Sequence, residues 1–157
     1  MDQSSITHDS FTIRKACGCT IDDLFAAFSE RENKRSWYAE APSHKTIEYD
    51  LDFKAGGNEV LEVEMLPSTP IAGAVLKWSS QYAEIQPCER IVFYQTTQLN
   101  GKTITTAVIT CEFTAADAGS EVVLTHQAAF FEGADGPEMR RMGWEYLLTA
   151  MAATLPG

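Results

Sequence analysis

Between residues 45 and 129 the hydrophobic residues fall on every second position, stretch after stretch, while on either side they fall at helical spacing. That change of period constrains the chain more than any other feature, because alternation over several consecutive segments builds half-buried antiparallel strands. In Thr46 to Phe53 the odd positions Ile47, Tyr49, Leu51 and Phe53 are apolar, and Glu48, Asp50 and Asp52 lie between them. Lys54-Ala55-Gly56-Gly57-Asn58 reads as a turn, and Leu61, Val63 and Met65 then alternate with Glu62 and Glu64. The five carboxylates share the parity opposite to the apolar set, so they are expected on a solvated face, where glycosidase-like acid–base work has no place. After a loop from Leu66 to Gly73, strands are expected at about Ala74–Ile85, Arg90–Thr97, Lys102–Phe113 and Ser120–Ala129. Gln86-Pro87-Cys88-Glu89 and Asn100-Gly101 are the turn signals between them.

The flanks complete the architecture. Phe11 to Lys15 alternates like a further strand. Thr20 can cap a helix carrying Asp22 and Asp23 in its first turn, with Ile21, Leu24, Phe25 and Phe28 at helical spacing. A second short helix runs roughly from Ser29 to Tyr38, and Pro42 closes the segment. At the other end, Asp135-Gly136-Pro137-Glu138 offers a cap, a first-turn proline and a carboxylate three residues after the cap. In the helix that follows, Trp144, Leu147, Leu148, Met151 and Leu155 mark one side, and Met139, Met142 and Tyr146 widen the apolar arc. So wide an arc needs something wrapped around it, and a curved antiparallel sheet of about six to seven strands supplies that. The expected class is α+β, with two short helices after the first strand and a long C-terminal helix gripped by the sheet.

At 157 residues the chain is expected to form one domain, 1–157, with its core at about 11–155. No apolar run approaches the ~20 residues that span a bilayer, and Met1 to Ser5 lacks the pattern of a secretory signal. A cytoplasmic location without membrane insertion is the expectation. Twelve Lys and Arg against 22 Asp and Glu give a net charge of −10, and the basic clusters Arg31/Lys34/Arg35 and Arg140/Arg141 fall within helices. Nucleic acid, which demands a basic face, is an unfavoured partner. Cys17, Cys19, Cys88 and Cys111 show no CxxC or knuckle spacing, and His8, His44 and His126 are far apart. Free thiols and no metal or other cofactor are expected.

Four stretches, in order, carry a resemblance. They are Phe25-Ala26-Ala27-Phe28 with Lys34-Arg35-Ser36-Trp37-Tyr38; Tyr49-Asp50-Leu51-Asp52-Phe53-Lys54-Ala55-Gly56-Gly57; Tyr82-Ala83-Glu84-Ile85-Gln86-Pro87-Cys88-Glu89-Arg90-Ile91-Val92; and Val123-Leu124-Thr125-His126-Gln127 through Gly133-Ala134-Asp135-Gly136 to Gly143-Trp144. Together they resemble the family named after the activator of the heat-shock protein 90 ATPase, in the START-like, helix-grip (SRPBCC) superfamily. Cys88 stands where members commonly have a second proline. The resemblance implies a helix-grip fold and, for small stand-alone members, ligand binding rather than chaperone activation, since the co-chaperone's separate chaperone-binding domain has no counterpart here.

Within that fold the expected site is a cavity between the sheet and the last helix, taking a small apolar or amphipathic molecule. Strand parity puts His126 on the concave side, where its imidazole can donate to a ligand or be satisfied by a neighbour. Trp37, Trp78, Tyr82, Phe93 and Phe130 are aromatic candidates for the wall, although core packing explains aromatics equally well. Met139, Met142 and Tyr146 belong to the helix that borders the mouth, and Arg140 either reaches a ligand carboxylate or extends to solvent. Two other functions are compatible with the sequence. One is a cyclase, dehydratase or hydrolase using His126, Tyr82 and Arg140 on an aromatic or polyketide-like substrate. The other is a protein-interaction or co-chaperone-like module. A monomer and a homodimer are both allowed.

Overall fold

The computed structural model describes residues 5–157. Strand β1 (Thr7–Cys17) is followed by helix α1 (Ile21–Ser29), a single turn α2 (Arg31–Lys34) and a π-helical turn, Arg35–Ala39. Six strands follow: β2 (His44–Leu51), β3 (Asn58–Met65), β4 (Val75–Gln86), β5 (Arg90–Leu99), β6 (Lys102–Ala116) and β7 (Gly119–Phe130). Helix α3 (Pro137–Ala153) comes last. The strands form one antiparallel sheet in the order β1-β7-β6-β5-β4-β3-β2, so the first two strands occupy opposite edges. The segment from α1 to the π-helical turn crosses between those edges. The α+β, helix-grip expectation holds, with seven strands.

Local chemistry explains the elements. The Thr20 hydroxyl accepts from the Asp23 backbone N–H at 3.1 Å and starts α1. Phe25 and Phe28 pack edge to face on Phe113 of β6, and Phe28 does the same on Trp37. Asn100 and Gly101 both have positive φ, 50° and 83°, as the tight hairpin between β5 and β6 requires. Cys88 also has positive φ, 59°, a value that a proline ring cannot adopt.

The structure corrects four local expectations. In β2 the ladder shifts between Thr46 and Glu48, so Ile47 is an extra residue on a bulge and is 50% exposed instead of facing the core. At the start of α3 the cap position is Gly136, with no side-chain cap bond, because the Asp135 carboxylate is engaged by Arg140. Along α3 the seam against the sheet is Arg140, Trp144, Leu148 and Met151, whereas Met139, Met142 and Tyr146 are all largely exposed. Finally, Cys17 and Cys19 form a disulfide, not free thiols; their Cα atoms are 5.3 Å apart at the end of β1, within the bridging range. Cys88 and Cys111 are free.

Candidate functional site

The concave face carries two polar assemblies beneath its aromatic residues. The first is centred on Glu59, which shares the inward parity of Leu61 and Val63 on β3 and is buried with them. Lys34 Nζ reaches Glu59 Oε1 at 2.7 Å, with both side chains almost fully buried. The Tyr49 hydroxyl donates to Glu59 Oε2 at 2.8 Å, and the Tyr82 hydroxyl donates to Oε1 at 3.2 Å. The ammonium also lies 4.6 Å from the centre of the Tyr38 ring and 5.4 Å from that of Phe93. Burial, reinforced by the Glu59 charge, holds the Tyr38, Tyr49 and Tyr82 hydroxyls well above the usual phenol range. They are neutral at any ordinary pH.

The second assembly lies under the first turns of α3. Arg140 is 8% exposed. Its Nε and Nη2 grip the two Asp135 oxygens at 2.9 and 2.8 Å, and Nη2 also donates to Thr105 Oγ1 at 2.7 Å. The guanidinium stands over the Phe130 ring at 5.4 Å. His126 is wholly buried, stacked on Phe11 at 4.7 Å and tilted against Phe130. Neither of its ring nitrogens has a hydrogen-bond partner among the described residues. Burial, with the Arg140 charge nearby, lowers its pKa to about 4, so the ring is neutral near pH 7.

Between these assemblies, the half of the sheet formed by β2–β5 and the exposed flank of α3 border a half-open cavity of about 260 Å³. Leu61, Met65, Leu76 and Trp78 form the sheet wall, and Met139, Trp144, Tyr146 and Leu147 form the helix wall. Polar atoms enter from Tyr38, His44, Gln95, Asp135 and Arg140. Gln95 is itself anchored, its Nε2 donating to the Tyr38 hydroxyl at 3.1 Å and to Ser80 Oγ at 3.2 Å. The π-helical turn makes room for this. Its wider winding turns three consecutive residues, Trp37, Tyr38 and Ala39, inward, so that Trp37 donates to the Ala27 carbonyl in the core while Tyr38 reaches the cavity.

Of the ten residues expected at the site, Trp78, Met139, Arg140 and Tyr146 line this cavity. Trp37, Tyr82, Phe93, His126 and Phe130 are buried elsewhere in the core, and Met142 is exposed away from the lining. Arg140 does not extend to solvent; Asp135, five residues earlier, supplies its partner. His126 is not satisfied by a neighbour either. Tyr38, Gln95 and Glu59 escaped sequence reading, although the odd parity that Glu59 shares with Leu61 and Val63 marks it as inward-facing.

A sheet wrapped around a terminal helix, with an aromatic-walled cavity between them, defines the helix-grip class of α+β proteins. The model of the Activator of Hsp90 ATPase homolog 1-like family matches residues 18–156, and the chain belongs to that family. Solved structures agree. The protein Mll3558 from Rhizobium loti is 30% identical with a TM-score of 0.84, over 96% of this chain and 99% of that one. A protein from Rhizobium leguminosarum is 28% identical with a TM-score of 0.87, over 95% of each chain. The AHSA1-like protein from Aeromonas hydrophila, at 14% identity and a TM-score of 0.69 over 92% and 90% of the two chains, shares the fold. No curated protein is significantly similar to the chain. Among the described residues no helix is long and apolar enough to cross a membrane.

Proposed function

We propose that this chain is a cytoplasmic protein that binds a small apolar or amphipathic molecule between β2–β5 and α3. The observation that carries this reading is the cavity itself. It is about 260 Å³, walled by aliphatic and aromatic side chains, with a few anchored polar groups. Burying an apolar ligand there releases water from the partly exposed Trp78, Leu76 and Leu147 and from the exposed Tyr146. The groups that an enzyme would use are not gathered at this cavity. Tyr82 is committed to Glu59, His126 is stacked on Phe11, and only Arg140 of the three lines it.

Native mass spectrometry of protein gently purified from its host, compared with the denatured mass, tests the reading. A reproducible extra mass of small-molecule size is expected, and added naphthalene should quench tryptophan emission as it settles against Trp78 and Trp144. The absence of both an extra mass and any response to naphthalene would overturn it.

A further inference from the structure

One row of the sheet connects the cavity to the Arg140 assembly. Reading across the strands, Leu61 faces Trp78, Trp78 faces Thr97, Thr97 faces Thr105 and Thr105 faces Phe130. Trp78 lines the cavity; Thr105 holds Arg140 Nη2; Thr97 lies between them, buried, with its hydroxyl unpartnered. Arg140 itself lines the cavity, and its Nη1 is buried and likewise unpartnered. Because Nε and Nη2 are the two atoms that grip Asp135, the planar fork leaves Nη1 on the edge turned away from that carboxylate. Leaving a buried charge-assisted donor and a hydroxyl unmade is costly, and chains seldom retain such groups without a partner for them.

Resting on the reading that the cavity binds a small apolar molecule, we infer that its inner end is built to take one hydrogen-bond acceptor from that molecule on Arg140 Nη1, with the hydroxyl of Thr97, which pairs with Thr105 one strand behind the lining, as a second candidate partner, and that the ligand is neutral there: a carbonyl-type oxygen on an apolar body. Neutrality follows from Asp135. Its two oxygens already match the guanidinium charge, so the pair presents a donor without net positive charge. A ligand carboxylate entering beside Asp135 would lose its water and meet a like charge. A ketone or ester oxygen gains the donor without that repulsion.

Three probes of one shape test this, 2-acetylnaphthalene, 2-ethylnaphthalene and 2-naphthoate, titrated against the full chain by calorimetry. The ketone is expected to bind about tenfold or more tighter than the hydrocarbon, and the carboxylate more weakly than the ketone. In Arg140→Met the ketone's advantage should fall to near one. If that variant does not fold, Arg140→Lys, which keeps a cation for Asp135 and removes the fork, should give the same result. Thr97→Val, which removes an unpartnered hydroxyl and keeps the shape, should reduce the advantage a few-fold.

Equal affinities for ketone and hydrocarbon would overturn the inference and leave apolar binding standing. A carboxylate that outbinds the ketone would overturn the neutral-ligand assignment, and an advantage that persists without Arg140 would overturn the residue. An unchanged advantage in Thr97→Val would remove Thr97 from the site. If none of the three probes binds, the apolar-cavity reading falls, and this inference falls with it.

Discussion

Lys34 and Glu59, 25 residues apart in sequence, meet at 2.7 Å as an ion pair closed off from solvent by Tyr38, Tyr49, Tyr82 and Phe93. The pair ties the short helical segment to β3, the strand that carries Leu61 into the cavity wall. Breaking it from one side leaves a buried charge alone. Lys34→Met and Glu59→Leu are each expected to destabilise the fold by about 3–5 kcal/mol, whereas the double variant should recover much of that loss. Urea unfolding of the four proteins of the cycle measures this. Losses that simply add would mean that the two groups act independently.

His126 sets a second expectation, for acid. Its folded pKa is about 4, against about 6.5 in an unfolded chain. Between those values the unfolded chain binds a proton that the folded one refuses, so the stabilisation is complete above pH 6.5 and is lost as pH falls toward 4. The loss approaches about 3 kcal/mol at the lower end. His126→Phe keeps a ring to stack on Phe11 and removes two unpartnered nitrogens. It should therefore match or exceed the parent at pH 7 and lose less on going to pH 4.5, as read from urea midpoints. Parallel acid losses in the two proteins would assign the sensitivity to other groups.

Gly143 lies inside α3 on the exposed side, and a methyl group there meets nothing within 4 Å. Gly143→Ala is expected to raise stability by about 1 kcal/mol through helix propensity alone. A lower unfolding midpoint would show that the bare backbone at this edge of the cavity has a structural purpose.

The thiols should separate sharply in alkylation. Cys111 is buried in β6, and burial pushes its pKa up to about 12, so iodoacetamide at pH 8 should leave it untouched in the folded protein. Cys88 sits at a turn with its sulfur donating to Asp22 and should be labelled first, though slowly, because that bond raises its pKa as well. Cys17 and Cys19 should become reactive only after reduction. Peptide mass mapping distinguishes these classes.

The elements were legible because period and punctuation agree along most of the chain. Thr20, the Asn100-Gly101 turn and the alternation in β3–β7 each predict their own local structure. Parity failed at the bulge of β2, where Ile47 is the extra residue, and it resumes beyond it, with Tyr49 and Leu51 on the expected inward side. The site was harder to read because it depends on partners distant in sequence. Nothing near Lys34 announces Glu59, and nothing near Gln95 announces Tyr38. Asp135 looked like a cap because its sequence position suits one; that it serves Arg140 instead is decided by where Thr105 and Phe130 hold the guanidinium. Aromatic identity likewise could not separate Trp78, at the cavity, from Trp37, in the core, because both are large, apolar and inward-facing.

The placing of β1 beside β7 has a consequence for how the molecule is made. Strands β2 to β7 each pair with a neighbour adjacent in sequence and can zip up in turn as they leave the ribosome. The first strand synthesised must wait for the last, across more than a hundred residues, before it finds its ladder. During that interval it trails as a free edge, the kind of segment that seeds aggregation. Its sequence suits the wait: Thr7, His8, Asp9, Ser10, Thr12, Arg14 and Lys15 surround only two core residues, Phe11 and Ile13. The polar character of β1 thus serves the nascent chain as much as the finished surface.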